Sequence, residues 1–406
     1  MNKLKNIALW KKILVGITIG LIIGFLSPNA AEFISPLGDI FLRMLKMLIV
    51  PLVFFSITSG ICKMGDVKQL RTVGSRYVLW IVGSAVISAT VGVIIALIFQ
   101  PGRGTTEFLA TMEAGSEVSY SFIDNVIKWF PTNIVESAVN ADMLQIIVFC
   151  MFLGIALLTL GDKVSGLVKL IDQDSEVMLK ITEFIMEFSP IGIMSLIATM
   201  VSTVSGAMMK EIMIFLVLDI VSAVVILFIV YPLAIKFIAK INPIKFMKKI
   251  APAMLVAIST TSSAATLPVS IKTADEELGI PENVYGFALP LGNTCGMSGF
   301  ALFIGMCCIF ASNLYGFDIT FAGIVQFIFL GMILSIGAAG VKGAGVVMST
   351  VLLETLGMPL TLIPILAAVW PIIDPAHTVL NNVGDLCGTT IVAKRLGLMD
   401  MDVYNK

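Results

Sequence analysis

Charge is scarce in this chain. Asp, Glu, Lys and Arg make up 13 % of its 406 residues, the net charge is −1, and histidine occurs once, as His377. So balanced a charge leaves no basic field for a nucleic-acid partner. No second histidine is available to complete a metal set, and the six cysteines (Cys62, Cys150, Cys295, Cys307, Cys308 and Cys387) contain no CxxC pair. They fall inside or at the ends of apolar segments, where a thiol behaves as a small buried hydrophobe. Ser262 and Ser263 have no general base in their segment, which argues against a hydrolytic enzyme.

What the chain has instead is apolar length. Hydrophobic residues reach 58 % and mean hydropathy is +1.00, outside the range of soluble domains. Several runs approach the ~20 residues needed to cross about 30 Å of hydrocarbon. Helices are predicted at 12–28, 38–62, 77–99, 141–160, 178–203, 211–238, 283–311 and 360–393. The basic N-terminus lacks a small-residue cleavage site and reads as the lead-in to the first span, with Ser27-Pro28-Asn29 as a turn. Lysines and arginines cluster in alternate connections (Lys3 to Lys12, Lys63 to Arg76, Lys163 to Lys180, Lys236 to Lys249), which places the N-terminus in the cytoplasm. The C-terminus follows it, since the last helix ends at Lys394-Arg395.

Two apolar segments do not read as simple spans. The stretch 251–271 has Lys248-Lys249 before it and Lys272 after it, with a polar centre from Ser259 to Ser263, so it is predicted to enter and leave on one side. The stretch 321–353 centres on Gly337 to Gly345, and its flanks carry no Lys or Arg, as expected for a hairpin from the opposite side. Between them, helix 283–311 is interrupted by Gly292-Asn293-Thr294-Cys295-Gly296-Met297-Ser298-Gly299. Irregular backbone at membrane depth is tolerated only where it is buried in protein or lines a cavity, and interrupted segments in two inverted halves point to a transporter's binding site.

The last helix carries the densest polar run, from Asp374 to Asp385. An ionisable group at membrane depth costs roughly 2.5–3.5 kcal/mol on insertion scales and marks a site by default. Asp374, His377, Thr378, Asn381 and Asp385 are spaced so that most share one helix face.

These segments carry a resemblance. Ser262 to Val269, Leu289-Pro290-Leu291-Gly292, Gly340 to Gly345 and Asp374 to Asp385 resemble the signature segments of the dicarboxylate/amino acid:cation symporter family, the glutamate-transporter fold. The similarity spans essentially the whole chain, including Leu45 to Pro51 and Ser189 to Gly192. It implies an all-α polytopic membrane protein: eight transmembrane helices, two re-entrant hairpins, inverted repeats and a homotrimer working by an elevator movement. The corresponding division is scaffold helices 1 and 2 in 1–76, with helix 1 left open between scaffold and moving part. Helix 3 of the transport domain and an external loop fill 77–140, scaffold helices 4 and 5 with transport helix 6 fill 141–240, and the transport core fills 241–406.

The resemblance also implies roles. Asp374 matches the acceptor of a substrate ammonium, and Asn381 the holder of its α-carboxylate, assisted by Ser262 and Ser263 at the first hairpin tip. Phe300, Val341, Gly345, His377 and Thr378 complete the implied substrate pocket. Asp385 with carbonyls of Gly292, Gly296 and Asn381 matches one sodium site. Carbonyls of Thr294, Met297, Ser335 and Ile336 match a second, closed by the outer hairpin. Sodium is then the coupling ion, with no other cofactor.

Departures from the pattern bear on substrate. Members selective for acidic amino acids place arginine where His377 stands and threonine where Phe300 stands, so a neutral amino acid is expected here. The asparagine and aspartate of a deeper sodium site are absent from Gly296-Met297-Ser298-Gly299-Phe300, and Ile81 and Ser84 replace its third-helix partners; two sodium ions per cycle are expected. His377 reads either as a proton-linked group or as a pocket-filling hydrogen-bonder. Lys342, at the outer tip, reads as a solvated charge or as an attractor of anions, the latter favouring an acidic substrate. Alternatives of the same fold are an acidic amino-acid or proton-coupled symporter and an anion-conducting channel.

Overall fold

The computed structural model describes residues 9–62, 73–105, 127, 129–337 and 344–406, and within them every regular element is helical. In chain order these are α1 (Leu9–Leu26), α2 (Pro28–Cys62), α3 (Ser75–Phe99), α4 (Ile134–Asn140), α5 (Met143–Leu160) and α6 (Ser165–Thr203). Then come α7 (Gly206–Val225, continuing to Ala239), α8 (Pro243–Thr260), α9 (Ser263–Lys272), α10 (Glu282–Cys295) and α11 (Ser298–Tyr315). The last are α12 (Phe321–Gly337), α13 (Ala344–Thr355), α14 (Ile363–Arg395) and α15 (Met401–Asn405).

Six continuous helical stretches among the described residues are long and apolar enough to cross a membrane. One of them, Gln145–Thr203, has 59 residues, about 90 Å at 1.5 Å per residue and too long for one crossing. It breaks at Gly161, whose φ of +56° ends α5 before a short 3₁₀ turn leads into α6. Large apolar side chains stay exposed along the outer helices, among them Phe25, Leu79, Ile98, Phe152 and Phe237. Such a surface suits lipid rather than water.

Two boundaries differ from the sequence reading for local reasons. The connection predicted at 29–37 is helical: only Ser27 separates α1 from α2, because Pro28 fits the first position of a helix, where no N–H is needed. Ser27 Oγ accepts the Ala30 N–H at 3.3 Å. Helix α6 starts at Ser165 rather than 178, its first turns carrying a polar face from which Asp172 accepts the Ser59 hydroxyl at 2.8 Å.

Both interrupted segments are helix pairs. Helices α8 and α9 pack together across a two-residue turn, Thr261-Ser262, and Thr261 holds a left-handed φ of 49°. A β-branched residue there is strained, a condition that clusters at functional sites. Helices α12 and α13 form the second pair; its tip, with Val341 and Lys342, lies outside the described residues. Helix α11 is buried on every side except at Asn313, as expected of a helix apolar all round.

Packing outlines two groups that meet along α14. Helices α1 and α2 pack on α6 and α5 packs on α2, while α3 packs on α11 and α12, and α14 touches α3, α7, α8, α9, α10, α11 and α13 and also reaches α6. Of the two larger apolar cores, one joins α2, α5 and α6 to the second group and the other lies mainly within the second group. One contains Met297, Phe300, Trp370 and Ile373; the other contains Cys295, Leu302, Val379 and Leu380. Their seam runs through the α10–α11 break and the Asp374 to Thr378 stretch of α14, so the polar residues sit where apolar packing stops.

Candidate binding and coupling site

The break between α10 and α11 supplies two opposed helix ends. Carbonyls in the last turn of α10 have no onward helical donor, and the first N–H groups of α11 have no preceding acceptor. The partial negative charge of the first end suits a cation, and the positive charge of the second an anion. Gly296 N–H closes onto Gly292 O at 2.6 Å, and Asn381 Oδ1 accepts the Gly299 N–H at 2.7 Å. The Asn381 amide nitrogen meets only the weak acceptor Met297 Sδ, at 3.2 Å. That donor can be redirected to a carboxylate at little cost.

Asp385 lies one turn further along α14 and is 5 % exposed. The Tyr77 hydroxyl donates to its Oδ1 at 3.3 Å. A Cβ on either Gly292 or Gly296 would run into this carboxylate, so the two glycines are what let Asp385 lie on the last turn of α10. A buried carboxylate without a cationic partner costs several kcal/mol. No three His, Cys, Asp or Glu side chains gather among the described residues. A cation at Asp385 would therefore rest on one carboxylate plus carbonyl and amide oxygens, a hard-oxygen set of the kind a sodium ion takes.

At the first hairpin tip, Ser262 Oγ caps α9 by accepting the Ala265 N–H at 3.3 Å. Ser263 is buried, and its Oγ accepts from Asn382 Nδ2 at 3.3 Å, tying the tip to α14. Asn382 also donates to Thr378 O at 2.8 Å. Asp374 is half-buried and has an interaction partner. Pro371 and Pro375 remove two helical donors, freeing the carbonyls of Ala367 and Pro371 in the turns that lead up to it. Gly345 opens α13, and any Cβ there would strike the Trp370 ring. Ser335 and Ile336 lie in the last turn of α12, which packs on α10, the helix that carries Thr294.

His377 is 1 % exposed, and its Nε2 lies 2.7 Å from Asp219 Oδ2 on α7, a residue 0 % exposed. Its ring sits 5.5 Å from Trp370 and 6.0 Å from Phe303, with Phe300 5.8 Å from Trp370. Among the described residues both ring nitrogens of His377, both carboxylate oxygens of Asp219 and the Trp370 indole nitrogen have no hydrogen-bond partner, so the 2.7 Å approach of Nε2 to Oδ2 is a close polar contact without hydrogen-bond alignment. The structure thus brings Phe300, His377, Gly345 and the unforeseen Trp370 into one aromatic end, and Asn381, Asp385, Gly292 and Gly296 into one polar end.

Sequence reasoning missed Asp219, Tyr77, Trp370 and Asn382. It also missed Tyr231, which meets Ser298 Oγ at 2.6 Å and donates to Leu380 O at 3.3 Å. Tyr231 stands between two π-helical turns around Pro232, whose missing N–H unsettles the regular ladder. Only Asp219 had a clear signal, an acid in the middle of an apolar span.

Comparison with known proteins agrees with this architecture. The chain is 30 % identical over 402 residues to the proton/sodium-glutamate symport protein of Bacillus caldotenax, covering 96 % of this chain and 95 % of that one. It is 28 % identical over 413 residues to the proton/glutamate-aspartate symporter of Escherichia coli, covering 97 % and 94 %. It is 27 % identical over 403 residues to the C4-dicarboxylate transport protein of Bacillus subtilis, covering 97 % and 94 %. With the model of the sodium:dicarboxylate symporter family matching residues 9–395, the chain belongs to that family and is a multi-pass membrane symporter.

Proposed function

We propose that the chain imports a neutral amino acid together with sodium, moving it by an elevator displacement of a transport domain against a static scaffold in a homotrimer. Both termini lie in the cytoplasm in this reading. The packing group α1, α2, α5 and α6 serves as scaffold, and α3 with α7 to α14 carries the cargo.

The observation that carries the reading is the Asp385 carboxylate, buried on Gly292 and Gly296 at a helix C-terminus with a tyrosine hydroxyl beside it. Sodium there, with carbonyls of Gly292, Gly296 and Asn381, supplies the missing positive charge. A second ion held by carbonyls of Thr294, Met297, Ser335 and Ile336 links α10 to α12, so ion binding favours closure of the outer hairpin. Asp374 then receives the substrate ammonium, and Asn381, Ser262, Ser263 and Thr378 receive its carboxylate end. Phe300 and Trp370, with Gly345 from the outer hairpin, face a side chain without charge.

A second reading, an acidic amino acid, is favoured by the names of the relatives and by Lys342 at the outer tip. A thermal-shift screen of the twenty amino acids, with and without sodium, separates the two, because a ligand of the folded state stabilises by RT ln(1 + [L]/Kd). Shifts from small neutral amino acids only in sodium support the first reading. A dominant response to aspartate or glutamate supports the second.

A further inference from the structure

From Ser262 to Asp385 the described residues contain two basic side chains. Lys272 is exposed and lies 3.7 Å from Glu276 at the surface, so among the described residues of this stretch His377 is the one basic group near the aromatic end. Its Nε2 edge is already occupied. Asp219 comes from a different helix, is fully buried, and stands 2.7 Å from the imidazole Nε2. The ring is held there by Trp370 and Phe303, and its backbone is fixed by the close approach of Gly299, where a Cβ would fall 2.7 Å from His377 O.

We infer that Asp219 is a specificity-determining positioning residue: it occupies the cationic face of His377, so that the aromatic end of the pocket presents no positive charge to a substrate. The inference rests on the neutral-substrate reading and adds the residue that enforces it. An acidic side chain entering this end would meet an imidazole already matched to a carboxylate. It would also place a second negative charge close to Asp219 in a medium that strengthens repulsion. Two carboxylates cannot both take the one imidazole nitrogen there, whereas an uncharged side chain leaves the contact undisturbed. Selectivity of this kind works by repelling the wrong ligand.

The consequence is non-additive. Replacing His377 by arginine installs a permanent cation, but Asp219 takes the guanidinium as it takes the imidazole. Only when Asp219 is also neutralised does the new cation become free for substrate. The test is sodium-dependent binding of L-aspartate, L-alanine, L-serine and L-threonine to the full-length protein and to His377→Arg, Asp219→Asn/His377→Arg and Asp219→Asn. The double variant is expected to bind aspartate at least about tenfold more tightly than His377→Arg, the gain of a charge-assisted pair. Should the larger arginine prevent folding, Asp219→Asn/His377→Lys offers a slimmer cation and the same expectation. An equal gain in His377→Arg alone overturns the inference, as does a folded double variant that binds neutral amino acids but gains nothing for aspartate. Wild-type protein that prefers aspartate overturns the neutral-substrate reading itself, a result visible before any variant is made.

Discussion

Asp385→Asn tests the cation site with a change of sign. The wild-type carboxylate is 5 % exposed, accepts the Tyr77 hydroxyl at a long 3.3 Å, and lies against Gly292 and Gly296 with no ion pair to it among the described residues. Without sodium such a charge costs several kcal/mol, while asparagine has the same shape and no charge. The sodium-free variant should therefore unfold no more easily than wild type. In sodium at a hundred times Kd, wild type gains about 2.7 kcal/mol. Removing a charged ligand worth about 1.5–3 kcal/mol weakens the ion's affinity by roughly 10- to 100-fold. At the upper end the gain shrinks to RT ln 2, about 0.4 kcal/mol. The order of stabilities thus crosses as sodium is added, which equilibrium or thermal unfolding in detergent measures directly. A variant that is destabilised without sodium and keeps the full sodium response would refute the placement of the ion at Asp385.

Two further changes test the scaffolding of the site. Thr261→Gly removes a Cβ from a left-handed residue at the tip of the first hairpin; the strain it relieves is about 1–2 kcal/mol, partly offset by the chain entropy of glycine. A net gain of about 0.5–1 kcal/mol is expected in unfolding experiments, with no comparable gain from Thr261→Ala, which keeps the strain. Gly388→Ala would drive its methyl into the indole of Trp80, whose N–H donates to Gly384 O at 2.9 Å. A loss of about 1–3 kcal/mol follows from overpacking, and relief by a second substitution, Trp80→Leu, checks the contact in a double-mutant cycle.

Much of the fold was legible because the membrane simplifies the code: apolar length, basic connections and interruptions each have one physical meaning there. The first hairpin was announced by lysines at both ends of 251–271, and the break in α10–α11 by its glycines, though it narrows to Gly296-Met297. The Ser27 junction was misread because Pro28 signals a helix start as readily as a turn. The polar end of the site was legible for the same reason as the fold, since Asp385 and Asn381 interrupt an apolar helix at helical spacing. Its aromatic end was not. Asp219 and His377 are 158 positions apart and meet only through tertiary packing, and nothing local in α7 says which helix its acid faces. His377 was legible as a pocket residue, but its neighbour Asp219, 2.7 Å away, was not.

The central claim is coupled uptake of a neutral amino acid, and proteoliposomes test it most directly. With an inward sodium gradient and no proton gradient, the protein should concentrate labelled alanine, serine or threonine above the external level, and collapse of the sodium gradient should abolish it. Accumulation that ignores sodium, or that occurs only with aspartate or glutamate, would contradict the account.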